Sequence, residues 1–435
     1  MNVFDLDASI ISDYERFARS FTQIRAEDIR TKVDALYATK RFWPEPLISI
    51  NPHYERDASV QALVAEGFLH PDTARIFRVG GVPITLYRHQ AQAVAKASKG
   101  NSFVVTTGTG SGKSLCFFIP IIDAAVRARA AGQSPRTRAI IVYPMNALAN
   151  SQMQELQKFV EQADLPDALR PTFARYTGQE DSNERDLVKN SKPDILLTNF
   201  MMLELLMTRQ SERDQSVIGN AEGLDFLVLD ELHTYRGRQG ADVAMLVRRV
   251  RDRLCKQKAP ICIGTSATMA SEGEEQTRAA AVAKVATRLF GLKVTPDAVI
   301  DESLERATDA TVTVSSVALA QAVDSAVPSS LGDDSLRQHP LAVWIELQIG
   351  LNDGQRLTRR EPIAIREAAV KLAKDSGRDE PRCRLQIQDM LTLMSKPAAD
   401  RGGNGDRAFL AFKLHRFISG GSSPRNQTRF CPLTP

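Results

Sequence analysis

Five short runs of almost continuous apolar, largely β-branched sequence constrain this chain more than any other feature. They are "SFVVTT" at 102–107, "AIIVYP" at 139–144, "DILLT" at 194–198, "DFLVLD" at 225–230 and "ICIGTS" at 261–266. A strand with one wet face alternates apolar and polar residues, so runs without alternation belong to strands covered on both faces. Helix-like segments lie between the runs. The pattern therefore predicts an α/β fold with a mostly parallel sheet wrapped by helices. In such sheets functional side chains gather beyond the carboxyl ends of the strands. Polar motifs fall there in all five cases: a glycine loop after "SFVV", "PMN" after "AIIVY", "TNF" after "DILL", "DELH" after "DFLVL" and "SAT" after "ICIGT".

The glycine loop, "TGTGSGKS" at 107–114, reads as a phosphate cradle. Thr107 stands where the strict GxxxxGK[ST] pattern has its first glycine. Gly108, Thr109, Gly110, Ser111 and Gly112 follow, and glycines let backbone N–H groups approach phosphate oxygens unobstructed. Lys113 would set its charge on the outer phosphates of ATP, and the Ser114 hydroxyl would ligate Mg2+. Two adjacent acids at the end of an apolar strand are costly unless a cation satisfies them. The natural division is Asp230 positioning the magnesium through water and Glu231 orienting or deprotonating the attacking water. His233 is read as a nucleotide sensor or a link to the "SAT" turn. Gln90, in "LYRHQ", offers an amide donor and acceptor that would match an adenine edge. Pro120 is expected to kink or end the helix after the loop.

Residues 1–85 read as a helical N-terminal extension, 86–270 as the ATP-binding lobe, and 271–435 as a mostly helical region with a low-complexity linker at "ATDATVTVSSVALAQAVDSAVPSSLGDDS". "RGGNGD" at 401–406 reads as a flexible loop. The net charge of +4 is too small to mark a nucleic-acid binder by itself, so that argument rests on where arginines sit. Arg236 and Arg238, beside the acids in a loop, are the candidates for DNA contact, whereas the basic helix at 241–254 reads as a solvated face. Five scattered cysteines without a CxxC pair argue against a disulfide framework, a zinc finger or an iron–sulfur cluster. Leu115–Ile122, the longest apolar run, is far short of the ~20 residues of a membrane helix. A cytoplasmic protein without a membrane partner is the expectation.

Taken in order, Gln90, "TGTGSGKS", "YPMNALANSQ", "YTGQ", "LLTNFMML", "DELH" and "TSAT" resemble the first RecA-like P-loop lobe of superfamily two helicases of the DEAD/DEAH type. The AxTGxGK[ST] variant of those enzymes accounts for Thr107. "DELHTYRGRQGADVAMLVRRVR" is similar to the extended motif of MrfA-type bacterial DNA-repair helicases and their RecQ4-like relatives. The resemblance covers 86–270, with "AFKLHRFISGG" at 411–421 similar to the stretch that leads into the second lobe. It implies an ATP-dependent helicase or translocase whose Pro144, Asn146, Gln152, Gly178, Thr198 and Asn199 touch a nucleic-acid backbone, DNA by the subfamily with RNA open. It also implies that Ser266 and Thr268 couple the γ-phosphate to movement between lobes. A second lobe normally completes the site with arginines in a QxxGRxGR-like motif, and 271–435 carries no such motif. An arginine finger is worth roughly 10³–10⁵ in rate. The expectation is therefore the front half of a larger machine, truncated, frameshifted or completed by a partner chain carrying the second RecA lobe, that hydrolyses ATP slowly by itself. The alternative is an ATP-binding regulatory or scaffold subunit, or an inactive truncated fragment.

Overall fold

Each of the five apolar runs folds as a strand, and all five belong to one sheet. The computed structural model describes residues 2–21, 23–38, 43–108, 110–267, 275–354 and 356–417, without the side chains of 275 and 276. Two compact units result, one formed by Tyr54–Ser303 and the other by Met1–His53 with Leu304–Pro435.

Among the described residues the first unit holds a seven-stranded, all-parallel sheet. Its strands are β1 (Phe103–Thr106), β2 (Ala139–Tyr143), β3 (Phe173–Tyr176), β4 (Ile195–Asn199), β5 (Phe226–Leu229), β6 (Ile261–Ser266) and β7 (Val299–Asp301). The spatial order is β7-β1-β6-β5-β2-β4-β3. Register sets Thr106 opposite Ser266, Leu229 opposite both Gly264 and Val142, and Asn199 opposite Tyr143. Five adjacent strands therefore release their polar motifs at one edge. Every residue of β1, β2, β5 and β6 is buried, as continuous apolar runs require. The outer strands β3 ("FARY") and β7 ("VID") carry no such run, because a partly exposed edge strand does not need one.

Helices α1 (Arg88–Ser98), α2 (Leu115–Ala130), α3 (Asn146–Glu161), α4 (Ser182–Ser191), α5 (Phe200–Thr208), α6 (Glu212–Gly219), α7 (Gly237–Leu254) and α8 (Glu275–Phe290) connect and cover the sheet. Helix α2 does not end at Pro120 but runs on to Ala130. Proline at the sixth position forgoes the bond to the Cys116 carbonyl, and burial of Cys116, Phe117, Phe118, Ile119, Ile121 and Ile122 holds the segment. The arginines of α7 are not a solvated face either. Arg248 donates to the carbonyls of Ala244 (2.6 Å) and Arg288 (3.1 Å), and Arg251 to those of Phe290 and Gly291 (both 2.9 Å). Arg249 pairs with Glu204, and Arg253 reaches Met207 O at 3.3 Å and Gln215. They staple α7 to its neighbours.

Residues 54–85 belong to this unit. Arg56–Ser59 and Thr85–Tyr87 pair antiparallel, and Val60, Leu63, Leu69, Ile76 and Phe77 are buried in the core that packs the sheet. Asp123 of α2 accepts from His70 N (2.6 Å) and Thr73 Oγ1 (2.7 Å), tying that segment to the helix after the glycine loop.

The second unit contains helices Val3–Ser20 and Glu27–Ala38 and a three-stranded antiparallel sheet with Leu47–Asn51 between Ile363–Ala364 and Ala411–His415. Helices Pro340–Ile345, Ile365–Ser376 and Glu380–Ser395 bury Leu341, Trp344, Leu372, Ile387, Met390 and Leu391 in its own core. The stretch read as a low-complexity linker contains helix Ser316–Asp324, whose Leu319, Ala320 and Val323 are buried. "RGGNGD" opens on Arg401, which is buried and bonded to Lys396 O (3.1 Å), Leu331 O (3.3 Å) and Asp333 (2.6 Å).

Candidate nucleotide-binding site

The loop between β1 and α2 is braced from several sides. Thr107 N donates to Ser266 O at 3.3 Å, and its hydroxyl lies 2.6 Å from Ser111 Oγ. His89 Nε2 is 2.9 Å from Ser111 O, and Gln90 Nε2 donates to Gly112 O at 3.0 Å. Gln90 Oε1 accepts Tyr87 N at 2.9 Å, so this amide is bonded to the loop and to its own helix start. Gly110 and Gly112 have φ of +85° and +68°, and a Cβ at 112 would stand 2.6 Å from Gln90 Nε2. Both positions therefore call for glycine. Thr109 lies outside the described residues.

Lys113 emerges from the loop with Nζ 3.6 Å from Glu231 Oε1 across the strand ends. That ammonium is buried and has no hydrogen-bond acceptor among the described residues; Glu231 Oε2 is likewise buried, with His233 Nδ1 as its near neighbour. A buried charge without a hydrogen bond is costly, and both groups face one place. Ser114 is the N-cap of α2. Asp230 accepts from the Thr265 hydroxyl. Burial pushes its carboxyl above the usual range, Glu231 adds to this, and Thr265 and Lys113 oppose it. Glu231 has φ 52° and ψ 56°, left-handed backbone that a glutamate seldom adopts and that is typical of functional turns. His233 Nδ1 lies 3.2 Å from Glu231 Oε2 and 3.3 Å from Ser266 Oγ, linking the acidic turn to the end of β6. Thr268 lies outside the described residues.

These residues fit a magnesium–triphosphate. The loop offers backbone N–H groups and a buried, unaccepted ammonium, while Asp230 and Ser114 offer oxygens. Among the described residues no group of three or more His, Cys, Asp or Glu side chains is placed to hold a metal. Mg2+ is held by one or two protein oxygens plus phosphates rather than by a protein cage.

Beside this site, at the ends of β2 and β4, lies a second polar group. Asn199 caps α5 through Met202 N (2.7 Å), and its Nδ2 reaches Asn146 Oδ1 (2.6 Å) and Thr177 O (2.9 Å). Pro144 is half-buried, Gly178 is exposed with φ +92°, and Gln152 Oε1 has no donor among the described residues. Thr198 is enclosed, and its hydroxyl donates to Tyr176 O at 2.7 Å. Glu180 accepts the N–H groups of Thr177 and Gly178, both at 2.8 Å. Burial alone would raise the Glu180 carboxyl, yet the hydrogen bonds it accepts bring it below its usual range. Arg236 and Arg238 are exposed, with Arg236 Nε bonded to His233 O at 2.9 Å.

Residues 87–276 match the model of the DEAD/DEAH box helicase family. The chain carries a DEAD/DEAH box helicase domain. The uncharacterized ATP-dependent helicase YprA of Bacillus subtilis is 34% identical over 191 residues, 43% of this chain and 24% of that protein. Druantia protein DruE of Escherichia coli is 24% identical over 378 residues, 62% of this chain and 20% of that protein. The chain thus spans about a quarter or less of the length of these curated relatives. The crystal structure of the DUF1998 helicase MrfA bound to DNA and AMPPNP aligns with 67% of this chain and 38% of its own, at 22% identity and a TM-score of 0.46.

Two further side chains of this unit meet the site, neither among the candidates named from the sequence. Thr265, on β6, bonds both to Asp230 and to the Glu231 amide. Glu302, just past β7, accepts Gly108 N at 3.0 Å. Thr265 opens the "TSAT" motif, whose candidate residues are Ser266 and Thr268, and Glu302 follows a three-residue strand that carries no local signal.

Proposed function

We propose that this chain supplies the ATP-binding and ATP-hydrolysing lobe of a helicase-type motor that runs on a DNA backbone. The observation that carries the reading is Lys113 Nζ, buried and unaccepted, 3.6 Å from the carboxylate of Glu231 where two strands end. In this reading the loop amides and Lys113 bind the phosphates and draw charge away from the outer one. Ser114 and Asp230 would hold Mg2+, which when bound neutralises developing phosphate charge. Glu231 orients and deprotonates water, and His233 with Ser266 passes the state of the site along β6. Asn146, Gly178, Asn199 and Pro144 form the surface for the nucleic-acid backbone, joined by Arg236 and Arg238. DNA is favoured over RNA by the likeness of "DELHTYRGRQGADVAMLVRRVR" to DNA-repair helicases. Sustained movement calls for a second lobe, in the same polypeptide or a partner chain.

The test is ATP turnover with and without single-stranded DNA, and with single-stranded RNA beside it. Lys113→Ala should abolish nucleotide binding. Glu231→Gln should keep binding and lower turnover about 10²–10⁴-fold, the range for a lost general base. Wild-type turnover surviving in both variants would refute the reading.

A further inference from the structure

Thr265 occupies an interior position of the sheet that an apolar residue would fill equally well, as Ile261, Cys262 and Ile263 do on the same strand. It is fully buried. Its hydroxyl makes two bonds, both to consecutive residues on the neighbouring element. Oγ1 donates its hydrogen to Asp230 Oδ1 and accepts the N–H of Glu231 at 3.1 Å. The parallel pairing of β5 and β6, with Leu229 opposite Gly264, brings the next residue of each strand together. Glu231 stands in left-handed backbone, and its amide is held by this same hydroxyl. Such strain persists only where the surroundings over-determine it.

A carboxylate bonded at one oxygen by a donor on a central strand cannot turn about its Cβ–Cγ bond without breaking that bond. A left-handed residue whose amide is anchored cannot relax to ordinary backbone without losing its acceptor. One hydroxyl thus controls the carboxylate of Asp230 and the backbone that aims Glu231 at Lys113. We propose that Thr265 is a positioning residue that preorganises both acids for the metal–nucleotide. The proposal rests on the nucleotide-site reading above and adds a residue to it.

The experiment measures binding of a fluorescent non-hydrolysable ATP analogue to the full chain, once in Mg2+ and once in EDTA, alongside steady-state kinetics. Wild type should bind more tightly in Mg2+. Thr265→Val, of matching shape without the hydroxyl, should keep its EDTA affinity within about twofold and lose about tenfold of the magnesium-dependent gain, the order of one hydrogen bond to a charged group. Its kcat should fall more than its KM rises. Thr265→Ser should restore both. Should the valine variant not fold by circular dichroism, Thr265→Cys takes its place, with the same loss expected. A valine or cysteine variant with the full magnesium gain overturns the proposal, as does a serine variant that fails to restore it. An equal loss in Mg2+ and EDTA marks a merely structural role and also overturns it. Wild type that binds no nucleotide in either condition refutes the nucleotide-site reading itself, which separates that failure from this one.

Discussion

His89 lies under the glycine loop, its Nε2 on Ser111 O and its Nδ1 buried without a partner among the described residues. Burial holds its pKa below the usual histidine value, against the pull of the Ser111 carbonyl and of Glu302. In the unfolded chain the ring takes up a proton near pH 6.5, while the folded state resists it. The folded state therefore binds fewer protons, and stability rises with pH through that window. The unit should lose stability as pH falls below about 6.5, and His89→Gln should flatten that slope in denaturant titrations run at several pH values. Glu302 allows a sharper separation of charge from bonding. Glu302→Ala leaves the Gly108 amide without its acceptor, so the ATP KM should rise roughly tenfold with kcat little changed. Glu302→Gln, which keeps an acceptor oxygen, should stay near wild type in the same assay.

At the scale of elements, the contact between β6 and the acidic turn is tight. A Cβ at Gly264 would press on the Leu232 side chain and stand 3.1 Å from Phe290 Cζ. Gly264→Ala should cost about 1–3 kcal/mol of unfolding free energy, the usual range for overpacking, read from the denaturant midpoint. Because Leu232 follows Glu231, turnover should fall as well. Helix α7 gives the opposite lesson. Its arginines bond to α5, α6, α8 and carbonyls of the same unit, so Arg249→Ala should weaken packing and leave the salt dependence of DNA binding alone. Arg236→Ala and Arg238→Ala should each lower the slope of log K against log salt by about one, if each releases one phosphate contact. From the sequence α7 looked solvated, because the partners of its arginines lie about 40 residues away along the chain and helical periodicity does not report them.

At the scale of the whole molecule, the unit that carries the helicase domain begins at Tyr54 and ends at Ser303, wider than the 86–270 that motifs outline. Removing residues 54–85 would strip Val60, Leu63, Leu69, Ile76 and Phe77 from its core. At about 1.5–3 kcal/mol per buried side chain, that loss rivals the roughly 5–15 kcal/mol by which domains are stable. A fragment starting at 86 should therefore melt far below one starting at 54, or not fold at all, by thermal denaturation. The parallel sheet, its two covered faces and the gathering of Lys113, Asp230, Glu231, His233 and Ser266 at one edge could be read in advance. Each is written in a stretch of a few residues: a strand's burial in its composition, a tight loop in its glycines. Strand order and register have no such local record. They bring Thr265 against Asp230 and Glu231, set Glu302 on Gly108, and fold residues 54–85 into the core. These contacts join residues far apart in the chain, and they exist once the sheet has closed and long-range hydrogen bonds and packing repay the entropy of bringing them together.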